Sequence, residues 1–158
     1  MKAKRIFYLF LFVALPLLAG ALGSLFTTPA ISGWYAGLAR PALAPPNWVF
    51  GPVWTTLFIL MGVAAFLVWD RGWGRREVKV ALAAFAGQLA LNVGWSYLFF
   101  GRQSPGAALL EIVALWLAIV LTALLFFRIR RPAAWLLLPY LLWVSFASYL
   151  NFAFWRLN

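Results

Sequence analysis

The chain offers little for conventional chemistry. Its 158 residues include no cysteine and no histidine, and the only side-chain carboxylates are Asp70, Glu77 and Glu111. Thiol nucleophiles, His-dependent triads, disulfides and Cys/His metal centres are therefore excluded, and no metal site is expected. Asp70 and Glu77 flank a short polar stretch between apolar runs, whereas Glu111 falls inside such a run. An ionisable residue there costs ~3 kcal/mol or more unless it is paired, protonated or near water. Arg102 and Tyr97 are its candidate neighbours, and its role is either structural pairing or a ligand or proton function. What remains is indole and amide. Trp54, Trp95, Trp116 and Trp143 lie deep in apolar runs, as do Gln88, Asn92 and Asn151. Taken singly, the indoles are explained by packing and the amides by interhelical hydrogen bonding worth ~0.6 to 2 kcal/mol each. Taken together, flat apolar faces with a few polar edges suit a planar aromatic ligand.

Those residues are positioned by helices in a membrane. The chain is 66% hydrophobic and 10% charged, too apolar for a water-facing surface. Five runs are long enough to cross a hydrocarbon core of ~30 Å as helices, at 6–26, 49–69, 78–100, 105–127 and 133–155. The expected fold is an all-α, integral, multi-pass bundle of five transmembrane helices forming one domain over residues 1–158. The basic start and the small residues Ala19, Ala21 and Gly23 also resemble a cleavable secretory signal, but the run is longer than a typical signal core. Net charge is +10, yet the basic residues fall in short clusters between spans rather than on a folded face, so nucleic acid is not an expected partner. Ten of them lie at one end of the spans (Lys2, Lys4, Arg5, Arg71, Arg75, Arg76, Lys79, Arg128, Arg130, Arg131) and three at the other (Arg40, Arg102, Arg156). The positive-inside rule then puts the N-terminus in the cytoplasm and the C-terminus outside.

The connection 27–48 is the longest, and it carries Pro29, Pro41, Pro45 and Pro46 around a possible short helix near Trp34 to Ala39. A loop of that length in so compact a chain points to function, here as the lid of a pocket. Pro45-Pro46 holds the chain extended, and Pro52 is best tolerated in a first turn, which predicts a helix start near Val49. Trp48 then stands at the mouth of the span and Trp54 one to two turns below it. Pro16 is expected to kink the first span near Phe12, and Pro139 the fifth, freeing the carbonyl of Trp135. Trp34, Trp48, Trp69, Trp73, Trp135 and Trp155 fall near predicted interfaces, where indoles anchor helices; Trp48 suits both roles. Ala83, Ala86, Gly87 and Ala90 form a small-residue stripe that permits close helix approach, within the chain or across a dimer. With these orientations, Trp54, Asn92, Trp95, Glu111, Trp143, Ala147, Leu150 and Asn151 all lie toward the outer side beneath the long loop. That is an apolar, aromatic pocket with few polar groups, the usual composition of a small-molecule site.

With those residues placed, the sequence resembles the translocator protein / tryptophan-rich sensory protein (TspO/MBR) family, the former peripheral-type benzodiazepine receptors. The resemblance runs through Trp34-Tyr35-Ala36-Gly37-Leu38, Pro45-Pro46, Trp48-Val49 and Gly51-Pro52-Val53-Trp54. It continues through Gly87-Gln88-Leu89-Ala90-Leu91-Asn92, Trp95, Phe99-Phe100-Gly101, Pro139-Tyr140-Leu141, Trp143, Leu150-Asn151 and Trp155-Arg156. It implies a five-helix bundle, commonly a homodimer, that binds tetrapyrroles such as protoporphyrin IX and heme, sterols in some members, and synthetic isoquinoline carboxamide and benzodiazepine ligands. No cofactor is required; porphyrin or heme is the ligand. Leu43 stands where members usually carry Trp, Phe152 where the animal sterol motif has Tyr, and Ala107 where animal members have Trp. The departures imply a lost loop contact, poorer sterol recognition and weaker drug binding.

Three functions follow from the resemblance. In the first, a receptor or sensor stacks a planar tetrapyrrole on Trp54, Trp95 and Trp143, with Asn92, Tyr140 and Asn151 orienting its polar edges and Trp48, Ala147 and Leu150 completing the site. In the second, an enzyme degrades bound porphyrin in light, and Trp54 and Trp143 are the catalytic counterparts. The third is a transporter, disfavoured by a single intramembrane carboxylate and no detected inverted repeat.

Overall fold

The computed structural model describes residues 2–158. Five long helices carry nearly all of it: α1 (Lys2–Ile31), α2 (Asn47–Trp69), α3 (Arg76–Ser96), α4 (Pro105–Ile129) and α5 (Arg131–Leu157). All five are long and apolar enough to span a membrane, α3 together with the turn that follows it. Large apolar side chains such as Phe10, Leu18, Leu25, Leu110 and Leu142 point outward, as they do where the solvent is lipid. The protein is an integral, multi-pass membrane protein.

The helices form a ring in the order α1, α2, α5, α4, α3, closed by α1 against α3, with a smaller contact between α2 and α3. Chain direction alternates. One end therefore collects the start of α1 with the α2–α3 and α4–α5 connections and most of the basic residues; the other carries the long loop and the α3–α4 connection. The core is packed around Met61, Ala65, Phe85, Ile119, Leu137 and Tyr140.

Several boundaries differ from the sequence expectation. The first helix runs five residues past Phe26, through Pro29 to Ile31, with Thr27 Oγ1 donating back to the Gly23 carbonyl and Ala30 buried. The lid is consequently shorter, residues 32–46, with a 3₁₀ turn at Tyr35–Gly37 in place of the expected helix from Trp34 to Ala39. Helix α2 begins at Asn47, not Val49. Extended Pro46 (φ −56°, ψ 146°) accepts from the Val49 N–H at 3.0 Å, and Pro52 sits inside the helix rather than in its first turn. The N–H that Pro52 lacks leaves the Trp48 carbonyl without its helical donor. Helix α3 changes type at its end, where Tyr97–Gly101 form a π-helical turn and the Arg102 N–H reaches the Tyr97 carbonyl at 2.7 Å. Between α4 and α5 the joint is one extended residue, Arg130 (φ −155°), because Pro132 lies where a missing N–H costs nothing.

Helix α1 stays helical through Pro16, whose ring removes the donor for the Phe12 carbonyl. Gly62 of α2 packs at that point. A Cβ there would lie 2.5 Å from Val13 Cα and 2.6 Å from the Phe12 oxygen, both backbone atoms that cannot swing aside. Ala83, Ala86, Gly87 and Ala90 of α3 face outward and are exposed. Replacing Gly62 by valine is expected to force α1 and α2 apart and to destabilise the bundle by roughly 1–3 kcal/mol, the usual cost of overpacking. Thermal unfolding in detergent checks this; an unchanged midpoint would mean the two backbones are not in contact.

Candidate functional site

A cavity of about 550 Å³ opens beneath the lid, enclosed by α1, α2, α3 and α5. The middle of the α1 wall is made of small residues, Gly20, Ala21, Gly23 and Ser24, between Leu17 on one side and Thr27 and Ile31 on the other, so that much of the surface there is backbone. The facing walls are aromatic: Trp54 and Phe58 from α2, Trp95 and Phe99 from α3, Trp143 from α5, with Tyr35 from the lid. Among the described residues, no charged side chain lines it. The π-helical turn widens α3 where the cavity needs it, bringing Phe99 inward against Trp95 (ring centroids 5.1 Å apart, planes at 26°). Such turns recur at functional sites.

Of the residues picked out from sequence, Trp48, Trp54, Asn92, Trp95, Trp143, Ala147, Leu150 and Asn151 all line this one cavity. Trp48 is three-quarters exposed, at the mouth. Trp54 stacks on Phe58 (5.4 Å, 27°), and Trp143 meets Phe50 edge-on (5.9 Å, 71°). The Trp143 indole N–H is buried and has no hydrogen-bond partner among the described residues.

Two expected residues lie elsewhere. Tyr140 does not line the cavity. It is fully buried one layer behind, where its hydroxyl accepts from Asn92 Nδ2 at 3.0 Å and donates to Gln88 Oε1 at 2.8 Å. It holds Asn92, which does line the cavity, from behind. Glu111 is also outside, because α4 contributes no residue to the cavity wall. Its carboxyl packs against α3, with Oε1 3.7 Å from the point where a Cβ on Gly94 would lie. Both oxygens are buried and unpartnered among the described residues, and neither Arg102 nor Tyr97 pairs with them. Trp116, on the same helix, donates to Ser145 Oγ at 2.8 Å and serves packing between α4 and α5.

The amides on the wall are interhelical ties as well as lining. Trp95 Nε1 donates to Asn151 Oδ1 at 2.9 Å, and Asn151 Nδ2 donates to the Pro105 carbonyl at 2.7 Å. One side chain on α5 thereby holds the end of α3 and the start of α4.

Sequence reasoning missed the lid's own fastenings. Arg40 entered it only as a topology charge. Its guanidinium donates to Asn47 Oδ1 (3.1 Å) and the Pro45 carbonyl (2.9 Å) and lies 5.8 Å from the centre of the Tyr35 ring. Asn158 grips the lid from the other side, accepting from the Ala39 N–H at 2.9 Å and donating to the Ala39 carbonyl at 3.2 Å. Burial pushes the Tyr35 phenol above its ordinary range, with Arg40 opposing the shift more weakly, so the phenol stays protonated at neutral pH. The available clue was that Arg40 is the single charge in a proline-rich, otherwise apolar loop.

The TspO/MBR family model matches residues 12–156, which takes in the whole lid, α2, α3 and α4, most of α1 and all but the last residue of α5. The chain belongs to the TspO/MBR family. It is 53% identical over 155 residues to the tryptophan-rich protein TspO of Chlorobaculum tepidum, covering 98% of each chain. To the translocator protein of Homo sapiens it is 40% identical over 148 residues, covering 93% of this chain and 88% of that one. To the tryptophan-rich sensory protein of Cereibacter sphaeroides it is 40% identical over 126 residues, 79% of this chain and 77% of that one. Since the matched region spans the entire cavity, the TspO/MBR assignment applies to the site and not to the helices alone.

Replacing Tyr140 by phenylalanine removes one hydroxyl but strands both Asn92 and Gln88. We expect a loss of roughly 1–3 kcal/mol in stability, the desolvation cost of a buried unsatisfied group. Asn151→Leu is expected to cost a similar amount, because it strands the buried Trp95 N–H and unties α5 from the start of α4. Denaturation of both variants in one detergent measures this; wild-type stability in either would mean the ties are dispensable.

Proposed function

We propose that this TspO/MBR membrane protein is a receptor or sensor that binds tetrapyrroles, protoporphyrin IX and heme among them, in the cavity under the lid. The observation that carries the reading is a charge-free cavity of about 550 Å³ whose walls present three indoles, Trp54, Trp95 and Trp143, around one space. Its volume is within the ~300–1,000 Å³ of small-molecule sites. A porphyrin's flat face suits such walls, but its carboxylates do not suit a charge-free interior and must stay at the mouth. There Arg40 touches both Asn47 and Tyr35, two lining residues, and its five N–H donors are not exhausted by its two hydrogen bonds. The names of the relatives, sensory protein and translocator protein, fit a ligand-responsive role.

Heme iron gains little here. There is no His or Cys; Met61 is wholly buried with its sulfur engaged by Gln88; and the neutral Tyr35 phenol is a poor axial ligand. Sterols, lipids and synthetic isoquinoline carboxamide or benzodiazepine ligands are further candidates for the same cavity. The exposed stripe Ala83, Ala86, Gly87 and Ala90 supports a homodimer joined through α3.

A second reading, light-dependent porphyrin degradation, is favoured by one observation: Trp54 and Trp143 share the cavity, and the Trp143 N–H is unengaged. Protoporphyrin IX titrations that follow tryptophan quenching, first in the dark and then in light, separate the two. Saturable quenching without spectral change leaves a receptor. Loss of the porphyrin bands in light, abolished by Trp143→Phe with binding intact, makes it an enzyme; no quenching at all sinks the tetrapyrrole reading. Metal-free porphyrin is expected to bind at least as tightly as heme, and a strong-field heme spectrum would contradict that. Arg40→Gln should weaken protoporphyrin IX by about tenfold, as expected for a lost charge-assisted hydrogen bond, while leaving its dimethyl ester unaffected. Equal loss for both would mean Arg40 only fastens the lid.

A further inference from the structure

A second concavity, of about 210 Å³, lies on the outside of the bundle between α4 and α5 at the basic end, and shares no residue with the ligand cavity. We propose that it is a binding site for an anionic phospholipid, with the phosphate held by Arg128, Arg130 and Arg131 and an acyl chain laid along the groove.

The groove is apolar on every side, lined by Leu124, Phe127, Leu138 and Leu141 and by the exposed Trp135 indole. From Phe127 to Val120 on α4 it runs roughly 10 Å toward the middle of the membrane, at ~1.5 Å per residue. A stretch of acyl chain fits that shape and that chemistry.

Charge decides the headgroup. The one-residue joint between α4 and α5 packs three arginines into four consecutive positions at the groove's upper end. The Arg131 guanidinium sits 5.3 Å from the centre of the Phe127 ring, so positive charge stands directly over a groove residue. The Nε of Arg130 is buried without a hydrogen-bond partner among the described residues. Among the described residues no side-chain carboxylate pairs with these charges. Asp70 is held by Arg5 at 2.7 Å, Glu77 pairs with Arg75, and Glu111 lies near the other end of α4. Arg130 and Arg131 stand at the start of α5, where the positive end of its dipole disfavours cations, but Arg130 also caps the C-terminus of α4, whose negative end favours them, so the two dipoles offset one another and leave the three side-chain charges to be balanced. A zwitterionic headgroup brings its own cation and leaves the excess in place, whereas a phosphodiester with no amine offsets one of the three charges. Basic pockets at helix ends that open onto an apolar groove are suited to such lipids.

The test uses the full chain in nanodiscs of phosphatidylcholine containing a minor fraction of acyl-brominated phosphatidylglycerol, or the same fraction of acyl-brominated phosphatidylcholine. The quenching that belongs to Trp135 is the difference between the unaltered protein and Trp135→Phe. Stronger quenching by the brominated anionic lipid is expected, with the preference falling about fivefold for each arginine replaced by glutamine. Arg131→Gln, at an exposed position, gives the first step without threatening the fold. Arg71→Gln and Arg76→Gln, on the neighbouring connection, are expected to leave the Trp135 preference unchanged. Equal quenching by the two lipids would overturn the proposal. So would a preference that survives Arg131→Gln, or one that the Arg71 and Arg76 changes reduce equally, since that describes general surface potential rather than a site.

Discussion

In a hydrocarbon medium an unpaired polar group has no water to fall back on, and the bundle is organised by how its few buried amides meet that demand. Asn151 is central. It accepts from Trp95 and donates to the Pro105 carbonyl, so α3, α4 and α5 are fixed relative to one another by a single side chain. About three turns back along α5, Tyr140 does the same with Asn92 and Gln88 of α3. Because Asn92 and Asn151 also line the cavity, the groups that hold the helices together are the groups that shape the site. Stability and recognition therefore cannot be altered independently at those positions.

Helix α4 has a different part. It packs along α3 and α5 yet gives nothing to the cavity wall, while α1 gives a wall whose middle is largely backbone. The aromatic walls stand on α2, α3 and α5, the helices that hold most of the core. The lid is fastened separately, by Arg40 within the loop and by Asn158 from the end of α5. Scaffold, walls and cover are thus distinct parts of one short chain.

Much of this was legible in the sequence. Uninterrupted apolar runs gave five spans, and alternation of direction brought Trp54, Asn92, Trp95, Trp143 and Asn151 to one end, where the structure has them around one cavity. Helix ends were less legible: the first span was ended with its charge-free apolar run at Phe26, whereas α1 continues through Pro29 to Ile31, and α2, expected from Val49 on the strength of its prolines, starts two residues earlier at Asn47. Rotational position was not legible at all. Depth alone placed Glu111 with the pocket residues, and only the turn of α4 about its axis puts it against Gly94 instead. Tyr140 failed for a related reason, since a residue one layer behind a wall has the same depth and polarity as one on it. Contacts between distant parts of the chain, such as Asn158 with Ala39, leave no periodic trace.

Gly20 carries a consequence beyond its own position. A Cβ added there would stand 2.3 Å from Cε2 of Phe58, so the ring occupies space that any larger residue would claim. The only relief is for Phe58 to swing toward the cavity or to press on Trp54, its stacking partner. The calibre of the chamber is thus written on a helix that contributes no aromatic group to it. One methyl on α1 would act as a gauge block, setting the width of the chamber through the ring that faces it rather than through any group of its own.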